Sequence, residues 1–201
     1  MNLLAHLHLS DGSPGSMLGG VVADLVKPPQ VAALPGDVQE GVRLHRLIDA
    51  FTDRHPLVQG SIGRIAAEWT WFSGIIIDIY YDHILARNWT RYSTEPLEAF
   101  ADRCYDALDA GRPLVPPEAA DFLLHFIEDD RLVKYATVKG IEDTLARVSN
   151  RIGVRMPRNA VRLEEAMPDL LAKDAHLADD FHAFYPELIA FAEGVKAEPP
   201  G

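Results

Sequence analysis

The sequence predicts an all-α protein, a single-domain multi-helix bundle. Apolar residues recur at helical spacing along most of the chain, and few segments alternate with the period of a strand. The 201 residues fit one domain, and a hydrophobic fraction of 48% can fill a sizeable core. We expect residues 1–195 to form this domain and residues 196–201 to form a flexible tail.

The predicted helices follow from apolar spacing and from terminal residues. Asn2 can cap a short first helix, and a turn over residues 11–16 precedes a second helix over 17–26. Pro28 and Pro29 end that helix, and another begins after Pro35. The later helices are predicted over residues 57–71, 72–89, 95–108, 117–127, 132–148, 157–171 and 174–191, the last with a kink where Pro186 stands.

The segment over residues 72–89 combines features of a strand with features of a helix. Its Ile75-Ile76-Ile77 start favours a strand on propensity alone, whereas its length and its lack of turn residues favour a buried helix. Asp78 and Asp82 lie within it at a spacing of four residues. A buried carboxylate needs a metal, a cationic side chain or several hydrogen-bond donors, and the sequence leaves these open.

Composition excludes several classes of function. Lys and Arg number 19 against 30 Asp and Glu, a formal net charge of −11, so we expect no binding to nucleic acid. A single cysteine, Cys104, excludes an intramolecular disulfide and a cysteine-based zinc site. No signal peptide and no membrane span are recognisable, so we expect a cytoplasmic protein.

Clusters of histidine and aspartate are the features that indicate chemistry. Nucleotide-binding glycine loops, a Gly-x-Ser-x-Gly elbow, His-Glu-x-x-His and the paired Glu-x-x-His of di-iron bundles are all missing from the sequence. His45 and Asp49 share a helix face at i,i+4, and Asp53 continues it. This pair suits Mn²⁺, Fe²⁺, Zn²⁺ or Mg²⁺, but it could equally be an exposed ion pair.

Several motifs in the first 90 residues resemble the acyl carrier protein phosphodiesterase family. They are Met1-Asn2-x-Leu4-Ala5-His6-Leu7-His8, Gly19 with Ala23-Asp24, Gly41-x-Arg43-x-His45-Arg46-x-Ile48-Asp49-x-x-Thr52-Asp53, and Asp78-x-x-x-Asp82-His83-x-Leu85-x-x-x-Trp89. The later half shares helical character and the Phe184-Tyr185-Pro186 segment.

The resemblance implies a helical fold related to HD-type phosphohydrolases. It also implies hydrolysis of the phosphodiester between 4′-phosphopantetheine and a serine of holo-acyl carrier protein, with a divalent metal, first Mn²⁺ and alternatively Mg²⁺ or Fe²⁺. The chain departs from the HD pattern because it contains no His-Asp dipeptide and instead has Asp82-His83. The number of metals and the individual ligands therefore stay open.

We accordingly hypothesise a metal site with defined roles. The metal ligands are His6, Asp24, His45, Asp82 and His83; the residues around them are His8, Asp53 and Asp78; the catalytic residues are Asp24, His45, Arg46 and Asp49; and the phosphate ligands are Arg43 and Arg46. Such a metal can polarise a phosphoryl oxygen and lower the pKa of water.

The expected partner raises a question of charge. Acyl carrier proteins are strongly acidic, so docking on this acidic chain requires a local basic face. Three sets of residues could form it: Arg87 with Arg91, Arg131 with Lys134, or Arg155 with Arg158 and Arg162. The alternatives are an HD-like hydrolase of a nucleotide or other small phosphodiester, a non-catalytic helical module that binds carrier protein, and a di-iron oxidoreductase, against which the missing Glu-x-x-His pairs speak.

Overall fold

A computed structural model describes residues 1–197 as a helical domain. No strand occurs in this range, which confirms the predicted all-α class. The α-helices are α1 (Leu3–Leu9), α2 (Pro14–Val22), α3 (Pro28–Val31), α4 (Gly36–Thr52), α5 (Pro56–Trp69), α6 (Ser73–Arg87), α7 (Leu97–Gly111), α8 (Pro117–Glu128), α9 (Arg131–Lys134), α10 (Val138–Arg155), α11 (Met167–Ala172) and α12 (Asp174–Ala197).

Helix α6 runs through the centre of the core. Its isoleucine-rich start is helical, which confirms the prediction of a buried helix and shows that length outweighed strand propensity. Its fully buried residues lie on all sides of the helix and include Ile76, Ile77, Tyr80, Tyr81, Asp82, Ile84 and Leu85. Helices α1, α5, α10 and α12 pack around it, so Asp82 is removed from water.

Helices α2 and α4 cross in direct backbone contact. A Cβ atom on Gly19 would lie 2.2 Å from the carbonyl oxygen of Val38, and one on Gly41 would lie 2.5 Å from that of Ser16. Only glycine fits at these two positions because the neighbouring atoms belong to the backbone and cannot rotate away. This close approach brings the end of α2 against the side chains of α4.

The second half of the chain differs from the predicted boundaries. The helix expected over residues 132–148 is divided into α9 and α10, because the Thr137 hydroxyl accepts a hydrogen bond from Gly140 N at 3.0 Å and caps a new helix. The helix expected over 157–171 is wrong in its first ten residues, where short 3₁₀ turns precede α11. Proline near the start of α11 lacks an N–H group and favours a helix start there.

Helix α12 contains Pro186 and continues past it to Ala197. Lys196 and Ala197, which we expected in a flexible tail, are therefore helical, and the rest of the predicted tail lies outside the described residues. None of the helices described over residues 1–197 combines the length and the apolar character that crossing a membrane requires.

Candidate metal centre

The side chains of His6 on α1 and of His45 and Asp49 on α4 converge at one point. One ligand atom from each lies within 4.8 Å of the others. Asp49 bridges the two rings, with Oδ1 3.1 Å from His6 Nε2 and Oδ2 3.0 Å from His45 Nε2. The imidazole rings stack with centroids 3.7 Å apart. The i,i+4 spacing on α4 thus forms part of a buried cluster rather than an exposed ion pair.

The backbone of α2 fixes the orientation of His45. His45 Nδ1 lies 2.7 Å from the carbonyl oxygen of Gly20, and because a carbonyl only accepts, Nδ1 carries a proton and donates it. The Nε2 atom of the neutral ring then keeps a lone pair directed at the cluster. A carbonyl that selects the tautomer of a histidine in this way is typical of metal ligands. Sequence reasoning missed Gly20 because this role uses no side chain.

Burial and neighbouring charges shift the titration of the three groups in different directions. Burial, together with the charge of His45, lowers the pKa of His6 to about 4. Burial also lowers the pKa of His45, but Asp24 and Asp49 outweigh it and raise the value to about 9. Burial raises the pKa of Asp49, whereas its contacts with His45 and His6 lower it well below the usual range. Without a cation, His45 is therefore protonated and lies beside the ionised carboxylate of Asp49.

Two buried nitrogen atoms in the cluster form no well-directed hydrogen bond. They are His6 Nδ1 and His45 Nε2, the latter close to carboxylate oxygens but without favourable hydrogen-bond geometry. An orphaned buried nitrogen is costly unless it binds a ligand. Two imidazoles with a carboxylate are a donor set that suits Mn²⁺, Fe²⁺ or Zn²⁺, so the residues present fit a divalent cation.

Asp24 stands at the solvent side of this cluster. It follows the end of α2, its side chain is 81% exposed, and its Oδ1 lies 3.6 Å from His45 Nε2. The contact with His45 lowers the pKa of Asp24. The exposed carboxylate is therefore ionised and accessible, as a ligand or a base facing substrate must be.

The amino group of Met1 forms a second, cationic layer behind Asp49. It lies 3.1 Å from Asp49 Oδ1 and 3.4 Å from Asp78 Oδ1. Burial lowers the pKa of this amino group, but Asp78 and Asp49 raise it more, to about 10. Asp78 thus pairs with a charge beside the cluster. No pattern of side chains in the sequence indicated this amino group.

Asp82 and His83 do not join the cluster. Both oxygens of Asp82 accept hydrogen bonds from the first turn of α1, from Leu4 N at 2.8 Å and Ala5 N at 3.0 Å. His83 Nδ1 donates to the carbonyl oxygen of Tyr135 at 2.7 Å. The expectation that these two side chains bind the metal is not supported by this placement, because Asp82 caps a helix and His83 lies against α9.

The remaining predicted residues are not part of the three-residue cluster. His8 contacts the Tyr185 hydroxyl at 2.8 Å and the Tyr92 carbonyl at 3.3 Å, away from the other histidines. Asp53 is exposed at the end of α4. Arg43 binds Glu40, whereas Arg46 is exposed and forms no salt bridge within residues 1–197. Of the two predicted phosphate ligands, Arg46 is thus the more available.

Comparison with known proteins identifies the family of the chain. The family model described as acyl carrier protein phosphodiesterase matches residues 1–188. Relatives named acyl carrier protein phosphodiesterase from Salmonella agona and Salmonella newport are each 32% identical over 193 residues, which is 96% of this chain and 97% of theirs. No solved structure matches significantly, so the relation to HD-type enzymes stays a prediction. The chain belongs to the acyl carrier protein phosphodiesterase family.

Proposed function

We propose that this chain is a metal-dependent hydrolase that cleaves the phosphodiester between 4′-phosphopantetheine and a serine of holo-acyl carrier protein. The observation that carries the proposal is the convergence of His6, His45 and Asp49 in a member of this family. The name of the relatives supports the substrate. The donor set supports the chemistry, since hydrolysis of a phosphodiester by a bound metal is a common use of such ligands.

We propose that His6, Asp24, His45 and Asp49 hold the cation, with Mn²⁺ first and Mg²⁺ or Fe²⁺ as alternatives. When bound, the cation would polarise a phosphoryl oxygen and lower the pKa of water. His45 would hold the cation through a deprotonated Nε2, since the Gly20 carbonyl retains the ring proton at Nδ1. Asp49 keeps both rings in place through its two oxygens.

The residues at the solvent side would handle the substrate. Arg46 follows His45 on α4 and is exposed, so its guanidinium can bind the non-bridging phosphate oxygens. The ionised Asp24 carboxylate can accept a hydrogen bond from the attacking water. The oxygen of this water forms the new bond to phosphorus, the bond to the serine oxygen breaks, and that oxygen takes up a proton. The products are apo-carrier protein and 4′-phosphopantetheine.

A mass measurement tests the proposed reaction. The purified chain is incubated with holo-carrier protein and Mn²⁺, and the expected product is apo-carrier protein lacking the prosthetic group. His45→Ala and Asp24→Ala are each expected to lower turnover by more than about 100-fold, since even partners outside the ligand shell cost up to that factor. His176→Ala, at an exposed position of α12, is the control and should keep full turnover.

Three outcomes would contradict the proposal. Full turnover of both the His45 and the Asp24 variant would remove the assigned site. Hydrolysis of a nucleotide diester without action on holo-carrier protein would favour the HD-like alternative. Binding of carrier protein without turnover, with no metal at stoichiometric level, would favour a non-catalytic module.

A further inference from the structure

We infer that a groove between α8, α9 and α10 receives an acidic helix of the carrier protein. We call it the arginine groove and define it by Phe122, Arg131, Arg147, Arg151 and Arg155. It has a volume of about 410 Å³ and is open to solvent. This inference rests on the proposed function and adds to it the face on which the protein substrate docks.

Three of the arginines form a stripe along α10. Arg147, Arg151 and Arg155 follow one another at i,i+4, so they share one helix face over about 12 Å. Like charges at this spacing destabilise a helix by about 0.2–0.5 kcal/mol per pair. This positively charged stripe lies on a protein whose formal net charge is −11. A concentration of positive charge that costs helix stability indicates an anionic partner.

The charges of the stripe are only partly compensated within the chain. Asp129 accepts salt bridges from Arg131 at 3.1 Å and from Arg147 at 3.3 Å. Arg151 and Arg155 form no salt bridge in the described part of the chain, although Glu118 and Asp121 line the opposite side of the groove. Among the arginines of the groove, these two therefore keep guanidinium groups without a carboxylate partner in the described residues.

Aromatic rings hold the guanidinium groups in place. Arg131 lies 5.5 Å from the ring centroid of Phe122 and 5.7 Å from that of Phe126, and Arg151 lies 5.2 Å from Phe122 on the other side. A guanidinium that already packs on a ring loses less side-chain freedom when a carboxylate binds. The groove is thus partly ordered before a partner arrives.

The arginine groove lies next to the metal cluster. Leu25 lines the groove and directly follows Asp24. A protein bound in the groove would therefore have a reactive serine near Asp24.

In two of the other basic faces expected from the sequence, one arginine already pairs with a carboxylate. Arg87 binds Asp174 at 2.8 Å. Arg162 binds Glu164 at 3.1 Å and Glu165 at 3.0 Å. An acidic partner would have to displace these carboxylates, whereas Arg151 and Arg155 need no displacement.

The shape of the surface favours a protein helix over a single phosphate. One phosphate cannot bridge arginines spread over about 12 Å, whereas acidic residues at i,i+4 on a facing helix repeat at the same interval as the stripe. Val154, 83% exposed, and Met156, 50% exposed, flank Arg155. Arginine and methionine together with exposed apolar residues are typical of protein interfaces.

Charge reversal tests the docking face. We expect Arg151→Glu and Arg155→Glu each to weaken binding of fluorescently labelled apo-carrier protein by about 10-fold, and to raise KM for holo-carrier protein with little change in kcat. Hydrolysis of bis(p-nitrophenyl) phosphate should not change. Arg91→Glu is the matched control and should bind normally, because Arg91 is exposed, packs on the Tyr92 ring at 6.0 Å and forms no salt bridge within residues 1–197. Circular dichroism verifies that each variant is folded.

A reciprocal exchange makes the test specific. Replacing glutamates on one helix of the carrier protein by lysine should restore binding to the Arg151→Glu, Arg155→Glu double variant. Unchanged affinity of the double variant for carrier protein would overturn the inference. A loss of bis(p-nitrophenyl) phosphate hydrolysis as large as the loss of activity on holo-carrier protein would also overturn it, because the arginines would then bind the phosphate. If the wild type binds through these arginines but never releases phosphopantetheine, the proposed reaction fails and the docking face stands.

Discussion

Replacement of Gly19 by alanine would separate two helices that position the metal cluster. The added Cβ atom would lie 2.2 Å from the Val38 carbonyl oxygen and 2.7 Å from Val42 N. Ordinary C···O contacts begin at about 3.3 Å, so α2 and α4 must move apart by about 1 Å. Overpacking of this kind costs about 1–3 kcal/mol of folding free energy. We expect a loss near the upper end because both clashing atoms belong to the backbone.

The same movement should weaken the metal site. The distance from His45 Nδ1 to the Gly20 carbonyl would grow from 2.7 Å to beyond hydrogen-bond range. Loss of such an orienting bond lowers metal affinity by about 10- to 100-fold. Urea unfolding with a chelator measures the stability, and titration with Mn²⁺ measures the affinity.

A second glycine supplies the control. Gly63 lies within α5, and a Cβ atom there would meet nothing within 4 Å. Gly63→Ala should stabilise the protein by about 0.5–1 kcal/mol and leave the affinity for Mn²⁺ unchanged. If Gly19→Ala behaves like Gly63→Ala in both measurements, the close helix crossing does not position His45 and our reasoning is wrong.

Three further predictions concern side chains in and beside the cluster. In metal-free protein the pKa of His45 is about 9 in the folded state against 6.5 in the unfolded state, so protonation of His45 contributes about 3 kcal/mol to the free energy of unfolding. This contribution is complete below pH 6.5 and is lost as the pH rises through 9. Urea unfolding should show this decline in stability for the wild type but not for His45→Gln. Asp82→Ala leaves two buried amides without an acceptor and should lower the free energy of unfolding by about 2–5 kcal/mol. Asp82→Asn should recover about half of this loss. Equal stability of the wild type and both variants in urea would refute the capping role. His83→Gln should bind Mn²⁺ like the wild type, whereas His6→Gln should bind it more weakly, and the reverse order in a metal titration would return His83 to the ligand set.

The sequence predicted those features that depend on local spacing. The i,i+4 relation of His45 and Asp49 follows directly from helix geometry, and the structure places both in the cluster. The helix over residues 72–89 was also predictable because its length exceeds that of ordinary strands. The prediction of a helix over residues 157–171 was wrong in its first ten residues, because tertiary packing holds that part of the segment in short turns.

The features that stayed hidden depend on backbone atoms and distant packing. Asp82 was expected to need a cation or several donors, and its donors are two amides at the start of α1, 77 and 78 residues away. Likewise, the carbonyl of Gly20 and the stacking of His6 on His45 arise only when α1, α2 and α4 meet. Backbone groups are the same at every position, so no pattern of residue types reveals which ones are used.

Helix α1 has seven residues, too few to persist alone in water. Asp82 anchors its first turn, and His6 anchors its side to α4 through Asp49. A cation bound by His6 and His45 would link α1 to α4. At a concentration 100 times its dissociation constant, it would raise the free energy of unfolding by about 2.7 kcal/mol. Scarcity of the ion would therefore first loosen the N-terminal segment, so supply of the ion would govern both the turnover of this protein and its susceptibility to proteases.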